Sequence, residues 1–158
     1  MTGDAADRER LLISQVKHLI EGERDPIANL ANVSALLWMS LEDVNWVGFY
    51  LRKGDELVLG PFQGKPACVR IRWGQGVCGT AAATASVQLV TDVSQFPGHI
   101  ACDAASRSEV VVPLVVGDRV IGVLDIDSPS VARFSTVDER TLQAVVDSVV
   151  AGTDFVSA

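Results

Sequence analysis

The sequence predicts an α+β fold, a central antiparallel sheet of about six strands with helices packed on its faces and the N- and C-terminal helices together. Two observations carry this. Apolar residues recur at helical spacing at both ends of the chain, and two hairpin patterns occupy its interior. The resulting order is helix, helix, hairpin, strand, helix, long loop, hairpin, helix. At 158 residues the chain is expected to form one domain, 1–158, large enough to bury a core without disulfide staples.

Leu12, Val16, Leu19 and Ile20 mark a first helix between about Asp7 and Glu21, with Gly22 as its stop. Asp25-Pro26 reads as an N-cap followed by proline in the first turn of a second helix, with Ile27, Leu30, Ala31, Ala35 and Leu36 near its buried face. From Trp46 to Leu51 the chain turns aromatic and β-rich, Gly54-Asp55 makes a turn, and Glu56 to Leu59 returns as the partner strand. Cys68 to Ile71 is a short strand, Val77 to Ala85 an alanine-rich helix and Ser86 to Val90 another brief strand. The stretch from Thr91 to Ser108 has weak periodicity, and a loop of that length in a compact domain usually covers a functional site. Glu109 to Val115 and Arg119 to Asp127 close the sheet around the turn Val116-Gly-Asp118. The last helix carries a capping box in Thr136 and Glu139, then Leu142, Val145, Val146 and Val149 on its buried face.

A formal net charge of -7 and a pI near 4.7 argue against a nucleic-acid backbone or an anionic membrane as partner and favour a small substrate. The longest apolar stretch, Val110 to Val116, contains Pro113 and falls far short of a membrane span, and the N-terminus lacks a secretory pattern. A cytoplasmic location is expected. Thiols stay reduced there, so an odd set of three cysteines points to transient redox chemistry or a metal rather than to structural bridges.

Those cysteines, Cys68, Cys78 and Cys102, share a 35-residue stretch with glycine- and turn-rich phrases that a core does not need. A free cysteine is often only a small buried hydrophobe; three in such surroundings favour thiol chemistry. Cys78 stands at the start of the predicted alanine-rich helix, where a thiol pKa is expected to be lowered. Asp125 and Asp127, two apart on one strand, project from the same face, and Glu109 opens the neighbouring strand. Like charges so placed, and burial, raise at least one carboxyl pKa and favour a protonated acid near neutral pH. Trp46 and Tyr50, four apart, share a strand face, as hairpin core or as pocket wall. His99, three residues before Cys102, is a weaker candidate to assist a thiol.

Asn45-Trp-Val-Gly-Phe-Tyr50, Gly60 to Cys68, Gly76-Val-Cys-Gly-Thr-Ala81, Gly98-His-Ile-Ala-Cys-Asp-Ala-Ala-Ser106 and Gly122-Val-Leu-Asp-Ile-Asp-Ser-Pro129 resemble the GAF-fold free methionine-(R)-sulfoxide reductases. The likeness runs from about Asn29 to Glu139. It implies a GAF-like fold and an oxidoreductase that reduces free methionine-(R)-sulfoxide to methionine with electrons from thioredoxin and no bound cofactor. By the same resemblance Cys102 is the nucleophile that becomes a sulfenic acid, and Cys68 is the resolving partner. Cys78 is an alternative resolving thiol, and the sequence does not rank the two. The resemblance assigns Asp127 and Glu109 to the sulfoxide oxygen or the substrate ammonium, and Asp125 to their support. Trp46 and Tyr50 complete the substrate pocket, the indole facing the substrate methyl.

Other readings stand beside this one. A GAF module that binds a small ligand or senses redox state without turnover would share the cysteines but would not need the paired aspartates. Phe134-Ser-Thr-Val-Asp138-Glu139 matches half of a cyclic-nucleotide motif whose Asn-Lys half is missing. A zinc site from Cys68, Cys78, His99 and Cys102 has no Cys-x-x-Cys pair to anchor it. A homodimer, with terminal helices pairing between chains, is compatible with the fold.

Overall fold

A computed structural model describes residues 4–99 and 104–155. The chain begins with α1 (Ala5–Leu19) and α2 (Pro26–Ser40), capped by the Asp4 and Asp25 carboxylates, which accept from the amides of Asp7 and Ala28 at 2.9 Å each. Proline in the first turn of α2 sacrifices no helical hydrogen bond. The side of α2 facing the sheet is Leu30, Val33, Ser34 and Leu37. Of the expected face of Ile27, Leu30, Ala31, Ala35 and Leu36, Leu30 is buried and Leu36 packs against the core, whereas Ile27 and Ala31 are exposed, so the expected face is partly out of phase. The helix is apolar nearly all round, which weakens the phase signal.

Two hairpins form the sheet. The first is β1 (Trp46–Lys53) with β2 (Glu56–Gly64), followed by β3 (Arg70–Arg72), α3 (Gly76–Thr84) and β4 (Gln88–Val90). The second is β5 (Ser108–Val116) with β6 (Arg119–Ser128), and α4 (Thr136–Ala151) ends the fold. The sheet is antiparallel and six-stranded, as the sequence predicts, and the strands lie in the order β3-β2-β1-β6-β5-β4. The loop after β4 begins with a 3₁₀ turn at Val93–Gln95. The cap of α4 lies one residue earlier than expected. Ser135, not Thr136, is the N-cap, its hydroxyl accepting from the Asp138 amide at 3.2 Å while Asp138 accepts from the Ser135 amide at 2.8 Å. A second box in adjacent register, Thr136 with Glu139, competes for the same signal. The half-motif from Phe134 to Glu139 is thus the start of a helix.

Strand alternation divides the sheet into two unlike faces. Val47, Phe49, Val110, Val112, Leu124 and Ile126 point to one side and form a dry core with α1, α2 and α4. The terminal helices lie together there, and Thr141 of α4 donates to the Glu9 carboxylate of α1 at 2.6 Å. On the other side α3 covers part of the sheet, burying Cys78, Ala81 and Ala82 against Tyr50, Val111 and Val123. The remainder of that face is a pocket.

Candidate active site

The register of the three central strands assembles the pocket floor. Trp46 of β1 pairs with Asp127 of β6, and Asp127 pairs on its other side with Glu109 of β5, so the three form one row across the sheet. The next row on the same face holds Gly48, Asp125 and Val111, and Tyr50 beside Val123 makes a third. The side chains with the capacity for chemistry or recognition thus come from rigid strands, where packing restrains their rotamers.

Trp46 lies flat between Phe62 and Tyr50, with ring centroids at 5.2 Å and 5.9 Å. That stack needs a glycine below it: a Cβ at Gly48 would collide with Phe62 Cβ and sit 2.7 Å from Trp46 Cη2. The polar ends of both aromatic residues reach the same neighbouring loop. Trp46 Nε1 donates to the Lys65 carbonyl at 3.1 Å, and the Tyr50 hydroxyl donates to the Cys68 carbonyl at 2.8 Å. The pocket between this loop, α3 and the sheet has a volume of about 50 Å³, enough for several water-sized groups.

Glu109, Asp125 and Asp127 are 6 %, 6 % and 8 % exposed, an unusual concentration of carboxyl groups away from water. Burial pushes the Glu109 carboxyl well above its ordinary range, and the neighbouring Asp125 and Asp127 add to the rise. Burial also raises Asp125, against the lowering effect of hydrogen bonds from Glu109, Cys78 and Asp127. Hydrogen bonds link Glu109 to both aspartates. Tyr50 is pushed far above the ordinary phenol range, chiefly by burial and then by Asp125, and remains a donor at all working pH values.

The model of a GAF domain matches residues 25–151 of the chain. The free methionine-R-sulfoxide reductase of Escherichia coli is 59% identical over 140 residues, covering 87% of this chain and 85% of that protein. The chain belongs to that GAF-type reductase family. The substrate complex of fRMsr from Staphylococcus aureus superposes with a TM-score of 0.88 at 53% identity, covering 91% of this chain and 94% of that one. The free methionine-R-sulfoxide reductase of Neisseria meningitidis, also solved with its substrate, gives a TM-score of 0.91 at 44% identity, covering 96% and 92%.

Of the residues that the reductase phrases nominate, Trp46, Tyr50, Cys78, Glu109, Asp125 and Asp127 all border the same pocket, and His99 joins them. Cys68 sits half-buried in the loop that Tyr50 and Trp46 hold, where it is disulfide-bonded. Cys102 lies outside the described residues. Cys78 departs from expectation. It does occupy the first turn of α3, yet burial and then the Asp125 and Glu109 charges push its thiol well above the ordinary range. One helix N-terminus, worth at most about 2 kcal/mol, does not offset a buried site facing carboxylates. Cys78 is a free thiol, its sulfur donating to Glu109 Oε2 at 3.9 Å. Gln75 and Ser106 also line the pocket and escape sequence reasoning. Both are common polar loop residues whose only signal is position, Gln75 just before the Gly76 phrase and Ser106 at the end of the Cys102 phrase.

Proposed function

We propose that the protein reduces free L-methionine-(R)-sulfoxide to L-methionine. The observation that carries this reading is the buried Glu109, Asp125 and Asp127 group at the floor of a pocket walled by Trp46 and by the loop bearing Cys68. A sulfoxide sulfur is electrophilic, and its oxygen departs only when protonated, so the reaction needs both a nucleophile and an acid. Cys102 attacks the substrate sulfur, and Glu109, whose carboxyl burial and the neighbouring Asp125 and Asp127 push upward, donates to the departing oxygen. In net terms the substrate S–O bond and the Cys102 S–H bond break and a sulfenic S–O–H forms: the transient bond between the two sulfurs is cleaved as the oxygen passes to Cys102, and the Cys102 proton replaces the one that Glu109 gave. Methionine leaves with its sulfur reduced by two electrons, and Cys102 is oxidised by two.

The Cys68 thiol then condenses with the sulfenic acid, releasing water and leaving a disulfide. Two facts support Cys68 over Cys78 as the resolving thiol: Cys68 is disulfide-bonded and Cys78 is free. Thioredoxin returns both cysteines to thiols and becomes a disulfide itself, so the cycle needs no bound cofactor. Asp127, in line with Trp46, faces the substrate ammonium, Asp125 supports the pair, and the indole packs against the substrate methyl.

The decisive assay supplies racemic free methionine sulfoxide, thioredoxin, thioredoxin reductase and NADPH. NADPH loss that stops near half of the sulfoxide is expected. Disulfide formation with peroxide but no sulfoxide-dependent turnover would favour a redox sensor instead.

A further inference from the structure

Cys78, Glu109 and Asp125 converge on one point of the pocket. The thiol sulfur and one carboxylate oxygen from each acid lie within 4.8 Å of one another, and all three residues are buried. Asp125 is 6 % exposed, and its Oδ1 has no hydrogen-bond partner among the described residues. A buried carboxylate oxygen left open costs free energy that a bound group would recover. The proposed reaction employs a proton on Glu109 and the sulfurs of Cys68 and Cys102. It leaves the Cys78 thiol and Asp125 Oδ1 without a task.

We propose that Cys78, Glu109 and Asp125 form a binding site for a thiophilic divalent cation of the zinc class, and that a cation seated there blocks the pocket to amino-acid substrate. The cation-binding half stands without the proposed reaction; only the blocking half rests on it. One sulfur and two carboxylate oxygens suit a tetrahedral ion with solvent in the fourth position. Calcium and magnesium ask for six or more oxygens and are poorly matched. Zinc sits about 2.0–2.3 Å from such donors, so the observed separations close on it with shifts of about an ångström. The three ligands come from α3, β5 and β6, whose packing already holds them together. This set differs from Cys68, Cys78, His99 and Cys102, the ligands that the sequence suggests, and keeps only Cys78.

Cobalt(II) reports the site directly, because a cobalt–thiolate bond gives a near-ultraviolet charge-transfer band that carboxylates alone do not. The form to titrate is the protein with Cys68 in its disulfide, freed of metal by chelation, where Cys78 is the free thiol. One equivalent of cobalt should bind with a thiolate band, and zinc should displace it. Cys78→Ser should abolish the band, and Asp125→Asn, nearly the same shape, should weaken cobalt binding at least tenfold. Circular dichroism of both variants separates loss of ligands from loss of fold. Absence of a thiolate band in the wild type, or its persistence in Cys78→Ser, overturns the site. Free methionine sulfoxide should raise the apparent cobalt dissociation constant; a site that binds cobalt but is indifferent to the amino acid overturns the blocking half alone.

Discussion

Glu109 pairs with Asp127 in mid-sheet, and the charges that bear on it are negative. Its folded pKa lies above its ordinary value of 4.5, so the stability present below that value is lost as pH rises through the folded pKa. Replacing the acid by its amide removes this penalty. Glu109→Gln should melt above wild type, with a gap that widens from about pH 5 towards alkaline pH, as a set of thermal melts would reveal. The same change removes the proposed acid, and kcat/KM for the free sulfoxide should fall by about two to four orders of magnitude. Higher stability with unchanged kinetics would remove Glu109 from the reaction. At the thiols, Cys102→Ser should form no methionine in a single turnover, whereas Cys68→Ser should form about one per active site and then stall. Full single-turnover activity in Cys102→Ser would overturn its role.

Among the elements, the loop between β2 and β3 owes its position to β1. With both aromatic side chains donating to its carbonyls, it is fixed at Lys65 and at Cys68. Tyr50→Phe removes one of these bonds and keeps the ring. It should slow disulfide formation after the first methionine while leaving the yield of that first methionine unchanged, a separation that rapid-quench sampling with thiol labelling resolves. Helix α4 offers a test of its register. Ser135→Ala should cost about 1 kcal/mol in denaturant unfolding and Thr136→Ala little, because only Ser135 holds the first turn. The elements themselves are largely legible in the sequence. Asp25-Pro26 and Gly54-Asp55 have local mechanisms for ending or turning the chain, and both appear where those mechanisms place them. The phase of α2 and the cap of α4 are not, because an all-round apolar helix and two overlapping capping boxes leave the choice to tertiary packing.

For the molecule as a whole, the sheet separates stability from chemistry. The face under α1, α2 and α4 is apolar, and the opposite face concentrates the acids. Strand alternation by itself puts Asp125 and Asp127 on one side, and the register of the sheet adds Glu109, Trp46 and Tyr50. The burial that raises the Cys78 pKa is hidden from sequence, since it depends on α3 closing over strands distant along the chain. A pocket with three buried carboxyl groups on its floor suits a free α-ammonium better than a peptide amide. N-acetylation removes that charge and strands a buried carboxylate, so turnover of N-acetyl-methionine-(R)-sulfoxide should be about a hundredfold lower or worse. Comparable rates for the free and acetylated R-epimers would sink the substrate assignment.

Trp46 and Tyr50 grip the Cys68 loop by its main chain, and no sulfur takes part in the grip. The backbone can therefore stay anchored while the side chain exchanges bonding partners, as a hinge plate stays screwed to the frame while the door swings. In the proposed cycle, exchange of the Cys68 sulfur then asks for rotation about χ1 of Cys68 and not for remodelling of the loop. Residues 65 to 67 are also released from any demand that this attachment makes on their identity, because every amino acid carries the same carbonyl.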